Sequence, residues 1–171
     1  MKYRKIIEHL AKNAINQRFP NGFREHELIL IEAMFNHAKN DICIFSDSLN
    51  VLNESPFLLR AATQFLQKQD TQLKILLQDI NRSNLHQLVS KVEGYGLEIR
   101  KALGAYSNSN AKYFTVMDRT GFRFEHDHFV IANFYEPKTA EKLHEVFNQA
   151  FNLGQNIDFG TNNIKPGSFG Y

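Results

Sequence analysis

Between Asn110 and Tyr135 the chain reads NAKYFTVMDRTGFRFEHDHFVIANFY, with polar and ionisable residues at regular places among apolar ones. Alternation with a period of two marks strands, whose successive side chains point to opposite faces. Three strands are predicted here, over about 111–118, 121–126 and 128–134, with Arg119-Thr120-Gly121 turning the first into the second. They add an antiparallel hairpin or edge to whatever sheet the preceding residues build.

Those residues follow another rhythm. Ile42-Cys43-Ile44-Phe45 is a short apolar run bounded by polar residues, as in a strand buried on both faces. A polar loop with Ser46, Asp47, Ser48 and Asn50 follows. Ser55 caps a helix with Pro56 in its first turn and Leu58, Ala62, Phe65 and Leu66 on its apolar face. Leu73 to Leu77 reads as a strand, Asn81 to Glu93 as a helix capped by Gly94, and Leu97 to Ala102 as a third strand. Strand–helix alternation implies a parallel sheet with right-handed crossovers. Ligands of such sheets lie beyond the carboxyl ends of the strands, which draws attention to Ser46, Asp47 and Asp79.

Amphipathic helices are predicted over 2–16 and from about Arg24 to Ala38, separated by a turn at Pro20-Asn21-Gly22. Pro137 opens a last helix with Ala140, Leu143, Phe147, Ala150 and Phe151 inward. The chain therefore divides into a helical pair (1–40), an α/β domain (41–153) and a Gly- and Asn-rich tail (154–171) that is extended or partly disordered.

With 171 residues the chain can bury one substantial core, and its 15 Phe and no Trp point to Phe, Leu and Ile as the filling. A net charge of +2 permits an anionic ligand without requiring one. The single Cys43 excludes an internal disulfide and fits a reducing, cytoplasmic compartment. Glu8, His9 and Lys12 interrupt any signal-like apolar run, and no stretch is long and apolar enough to insert in a membrane.

The element order, ending in a strand cluster, Ala132-Asn133-Phe134 and a helix, resembles the phospholipase D-like superfamily over about residues 41–153. That family carries H-x-K-x4-D on a strand and an Asn in a G-S-x-N setting on the next strands. Its His attacks phosphorus, its Lys binds phosphate oxygens and its Asp helps orient the site. The resemblance matches Asn133 to the family Asn. If Asp118 is the family Asp, the His position falls on Ala111 and the Lys position on Tyr113. If Lys112 is the family Lys, those of His and Asp fall on Asn110 and Met117; a one-residue bulge would bring Lys112 and Asp118 together. Neither alanine nor asparagine can supply the activated nucleophile that covalent catalysis needs. The resemblance implies a single-motif member with a degenerate motif, and members of that kind pair two copies, which implies a homodimer.

Glu125-His126-Asp127-His128 places two imidazoles on one side of a strand, able to bind a metal or share acid–base work, or else forms a polar hairpin turn. No third ligand lies nearby in sequence, so no metal site is assigned and no cofactor is expected. Arg123 and Glu125 share the opposite alternation from Phe122 and Phe124, as an ion pair or as an anion site with Lys112. His9, His26, His37, His86 and His144 sit on helices among charges and read as surface or boundary residues. The expected function is a catalytically degenerate binding or regulatory module for a phosphate-bearing ligand, nucleic acid or nucleotide, or for a partner protein. Expected ligand contacts are Lys112, Asp118, Arg123, Glu125 and Asn133. The alternatives are an active phosphodiesterase or nuclease using His126 or His128 with Lys112, and a purely structural interaction subunit.

Overall fold

A computed structural model describes residues 2–20, 22–48, 52, 55–80, 96–107, 113–127 and 129–157. Helices α1 (Lys2–Lys12), α2 (Arg24–His37), α3 (Pro56–Leu66) and α4 (Pro137–Leu153) surround a mixed sheet. The strands are β1 (Phe19–Pro20), β2 (Asp41–Ser46), β3 (Gln72–Leu77), β4 (Leu97–Lys101), β5 (Tyr113–Met117), β6 (Gly121–His126), β7 (Phe129–Asn133) and β8 (Gln155–Asn156). Their order across the sheet is β1-β7-β6-β5-β2-β3-β4-β8.

The predicted α/β class is the one observed. β2, β3 and β4 pair in parallel, Ile44 opposite Ile75 and Ile75 opposite Ile99. β5 joins the other edge of β2 antiparallel, Thr115 opposite Ile44, and β6 and β7 continue the meander. Alternation along β2 sends Ile42 and Ile44 to one face, under α1, α2 and α3, and Cys43 and Phe45 to the other, under α4. The first face holds Phe35, Phe65, Leu58 and Leu30; the second holds Phe114, Phe122, Phe147 and Phe151. All these side chains are buried, so β2 has apolar packing on both sides, the reason its sequence lacks polar alternation.

Local signals account for most boundaries. Ser55 accepts the Leu58 N–H at 3.3 Å and caps α3, with Pro56 in the first turn. The first helix ends at Lys12, short of the predicted residue 16, because Ala14 adopts a φ of +46°. Strands β1 and β8 have two residues each, too few to show a periodicity. The predicted helix over 81–93 and its Gly94 cap lie outside the described residues, as does the tail beyond 157.

The β5–β6 hairpin turns at Asp118-Arg119, one residue before the predicted position. Both have positive φ (50° and 54°), as both central residues of a type I′ hairpin turn must. Gly121 is needed for a different reason: a Cβ there would lie 3.0 Å from the Phe134 carbonyl oxygen and 3.1 Å from Met117 Cε. At Gly22 a Cβ would meet nothing within 4 Å. Gly121→Ala should therefore destabilise the fold by about 1–3 kcal/mol, the usual penalty of overpacking. Gly22→Ala should shift stability by less than about 0.5 kcal/mol. Urea denaturation of the two variants checks both values.

Candidate functional site

A cleft of about 140 Å³ opens beyond the carboxyl end of β2, where the topology changes from parallel to antiparallel neighbours. Ser46, Asp47 and Ser48 form one wall, Tyr113 and Thr115 of β5 and Arg123 and Glu125 of β6 the floor, and Arg24 and Glu27 of α2 the opposite wall. The floor follows from register: Tyr113 lies opposite Glu125 and Thr115 opposite Arg123, so all four project to the same face.

Charge in the cleft is organised as a chain. The Arg24 guanidinium lies 2.6 Å from Glu27, and Arg123 lies 3.0 Å from Glu27 and 2.7 Å from Glu125. The Arg123 side chain is only 6% exposed, so its charge depends on those two carboxylates. Its Nε is buried without a hydrogen-bond partner among the described residues, and so is the hydroxyl of Tyr3 on α1. Burial raises the Tyr113 phenol above its ordinary value, reinforced by Asp47 and Glu125. It therefore stays protonated and donates to Gln78 Oε1 at 2.9 Å.

The predicted site residues do not gather in one place. Asp118 lies past the far end of β5 from Tyr113, where its carboxylate accepts the N–H groups of Lys39, Asn40 and Asp41 at 2.8, 2.8 and 3.1 Å. It ties the α2–β2 connection to the β5–β6 hairpin. Asn133 is also at that end: its amide donates to Asn16 Oδ1 at 2.9 Å and Glu136 Oε2 at 3.0 Å, and its carbonyl oxygen accepts the Tyr135 N–H. Arg123 and Glu125 do line the cleft together. His126, at the end of β6, is 44% exposed and pairs with Asp127 at 3.1 Å. Lys112, Ala111, Asn110 and His128 lie outside the described residues.

Glu27, Arg24 and Tyr113 escaped sequence reasoning as site residues. A signal for Glu27 existed: it lies four residues before Ile31 and shares the apolar face of α2, where a solvated carboxylate has no place. His144, expected as a surface or boundary residue, is buried; it falls in the stripe Ala140, His144, Phe147, Phe151 that packs α4 on the sheet.

This geometry belongs to a phospholipase D-like fold. Residues 24–158 match the family described as Domain of unknown function (DUF7931), and the chain belongs to that family. No curated protein matches it by sequence. Among solved structures it is similar to TrmBL2, an archaeal chromatin protein with a novel mode of DNA binding, at TM-score 0.65 and 12% identity. That match covers 91% of this chain and 60% of TrmBL2. It is also similar to Nuc, a phospholipase D family member from Salmonella typhimurium, at TM-score 0.55 and 16% identity over 84% of this chain and 96% of Nuc. NucT from Helicobacter pylori gives 0.61 and 9% over 84% of this chain and 99% of NucT. No helix among the described residues is long and apolar enough to cross a membrane.

Two outcomes follow from the charge pairing. Breaking a buried ion pair costs about 3–5 kcal/mol, and Glu125 remains beside Arg123, so Glu27→Ala should destabilise by about 3 kcal/mol in chemical denaturation. A loss under about 0.5 kcal/mol would show that the pairing is ordinary surface electrostatics. At the other end, the hydrogen bond from Arg18 to Glu136, helped by Thr139 and Asn133, holds the Glu136 carboxyl down at about 2, from an ordinary 4.5. A depressed carboxyl stabilises the fold above its ordinary value and loses that contribution as pH falls toward the folded one. Acid titration of stability should therefore be flatter for Glu136→Gln than for wild type between about pH 4.5 and 2.

Proposed function

We propose that this phospholipase D-like domain acts by binding and does not catalyse phosphodiester cleavage. The observation that carries the reading is the cleft itself. Where the superfamily uses a His and a Lys, the alignment on Asp118 gives Ala111 and Tyr113, and Tyr113 has its hydroxyl fixed to Gln78. No imidazole lines the cleft among the described residues. A neutral phenol and a guanidinium held between two carboxylates can orient a ligand but cannot attack phosphorus.

The ligand class we propose is phosphate-bearing, a nucleic acid or nucleotide. Lys112 precedes Tyr113 of the cleft in sequence, and Arg24 and Arg123 bring guanidinium groups into the cleft lining. The similarity to a DNA-binding chromatin protein supports this choice. A second reading, a partner protein, is favoured by one observation: Arg24 and Arg123 both have carboxylate partners already, and among the described residues two cations face three carboxylates in the cleft. The superfamily's habit of joining two motifs into one site supports a homodimer, for which light scattering is the measurement.

The test titrates labelled single- and double-stranded oligonucleotides and a nucleotide panel at low and moderate salt. We expect weak, salt-sensitive binding that Lys112→Ala weakens, with the salt slope falling by about one unit for a nucleic acid. No turnover of a generic phosphodiester is expected. Activity abolished by His126→Ala or His128→Ala would overturn the non-catalytic reading. Absence of binding to every probe would leave the partner protein.

A further inference from the structure

On the opposite face of the sheet from the cleft, and toward the other end of β2, three metal-ligating side chains meet. Asp41 and Cys43 are two apart on β2 and so project to the same face. His144 reaches them from the apolar stripe of α4. One ligand atom from each, an Asp oxygen, the Cys sulfur and a His nitrogen, lies within 4.8 Å of the other two. Nε2 of His144 is 3.5 Å from Oδ2 of Asp41, slack for a charge-assisted hydrogen bond. The trio borders a polar cavity of about 100 Å³, which Gln72 and Asn148 also line.

We propose that Asp41, Cys43 and His144 form a binding site for a zinc-like divalent cation, with a fourth position open to the cavity. The donor set is the first reason. One thiolate, one imidazole and one carboxylate suit a borderline-soft ion and not calcium or magnesium, which take oxygen ligands. Spacing is the second. Tetrahedral zinc with bonds of about 2.0–2.3 Å holds its ligand atoms roughly 3.3–3.8 Å apart. The Asp–His separation already falls in that range, and the remaining closure is within the reach of a side-chain rotation.

The surroundings fit as well. His144 is 7% exposed and reaches the trio from within the packed face of α4. Its other ring nitrogen, Nδ1, is 3.2 Å from the Asn148 amide. With that amide turned to present its oxygen, Asn148 accepts Nδ1–H and fixes the tautomer that leaves Nε2 free for the metal. Cys43 is a buried free cysteine, and a thiol must lose its proton to ligate. A bound divalent ion displaces that proton directly. Lys74 and Arg119 line the same cavity and oppose a cation through space. Lys74 also lies 3.9 Å from Glu98, whose carboxylate offsets part of that charge.

The test uses the full chain, stripped with a chelator under reducing conditions and titrated with cobalt(II), then with zinc(II) as competitor. We expect saturation at one cobalt per chain, the intense visible bands of tetrahedral cobalt and a thiolate-to-cobalt charge-transfer band, all displaced by zinc. Cys43→Ser should abolish the charge-transfer band. If that variant does not fold, His144→Gln, which retains the thiol, should remove the tetrahedral bands. Asn148→Leu should weaken cobalt binding about 10–100-fold, as loss of an outer hydrogen-bond partner does. Failure of the wild-type chain to bind one equivalent, weak octahedral bands only, or tetrahedral bands unchanged in His144→Gln would each overturn the proposal.

Discussion

The backbone of β2 hydrogen-bonds in parallel to β3 on one edge and antiparallel to β5 on the other. Everything else is placed relative to that double ladder. Its two edges fix where the parallel crossovers end and the meander begins, and the cleft forms at the change of direction. Its two faces carry the two hydrophobic clusters. Its polar ends carry chemistry: Ser46 and the following Asp47 enter the cleft, and Asp41 stands beside His144. A one-residue slip of β2 would exchange Ile42 and Ile44 with the differently sized Cys43 and Phe45 and carry Asp41 and Ser46 to the wrong faces, so packing and the polar ends together hold its register. Both polar ends inherit that fixed register.

The middle of the fold was legible in the sequence because its signals are local. Ser55-Pro56 marks the start of α3, Ile42–Phe45 marks a doubly buried strand, and the alternation in 121–126 matches β6 residue for residue. Edges were not legible. Phe19–Pro20 and Gln155–Asn156 are strands only because β7 and β4 offer them partners. The turn position failed for a related reason: Gly121 suggested a conformational role, whereas close approach to Phe134 and Met117 requires it, and Asp118 and Arg119 bear the positive φ values.

The site was legible in type and not in assembly. Arg123 and Glu125 were readable as a pair from their shared alternation, but the third member, Glu27, comes from about a hundred residues away and a separate helix. Asp118 and Asn133 look like ligand-binding residues because they are polar among apolar neighbours. Their hydrogen bonds show why they are polar: Asp118 accepts three backbone N–H groups, and Asn133 donates to Asn16, each at a junction of segments distant in sequence. A polar residue in a strand run signals a buried obligation, and only the three-dimensional neighbourhood says whether a ligand or the chain itself fulfils it.

Each described margin of the sheet ends in a strand of two residues, one of them containing Pro20. Proline has no N–H to offer a further strand, and a two-residue ribbon presents too little unpaired backbone to template one. These short ribbons shield part of each margin: β1 covers Ile131 and Ala132 of β7, and β8 covers Arg100 and Lys101 of β4. Along those stretches a further strand would find little free backbone to pair with, so the ladder is discouraged from continuing there.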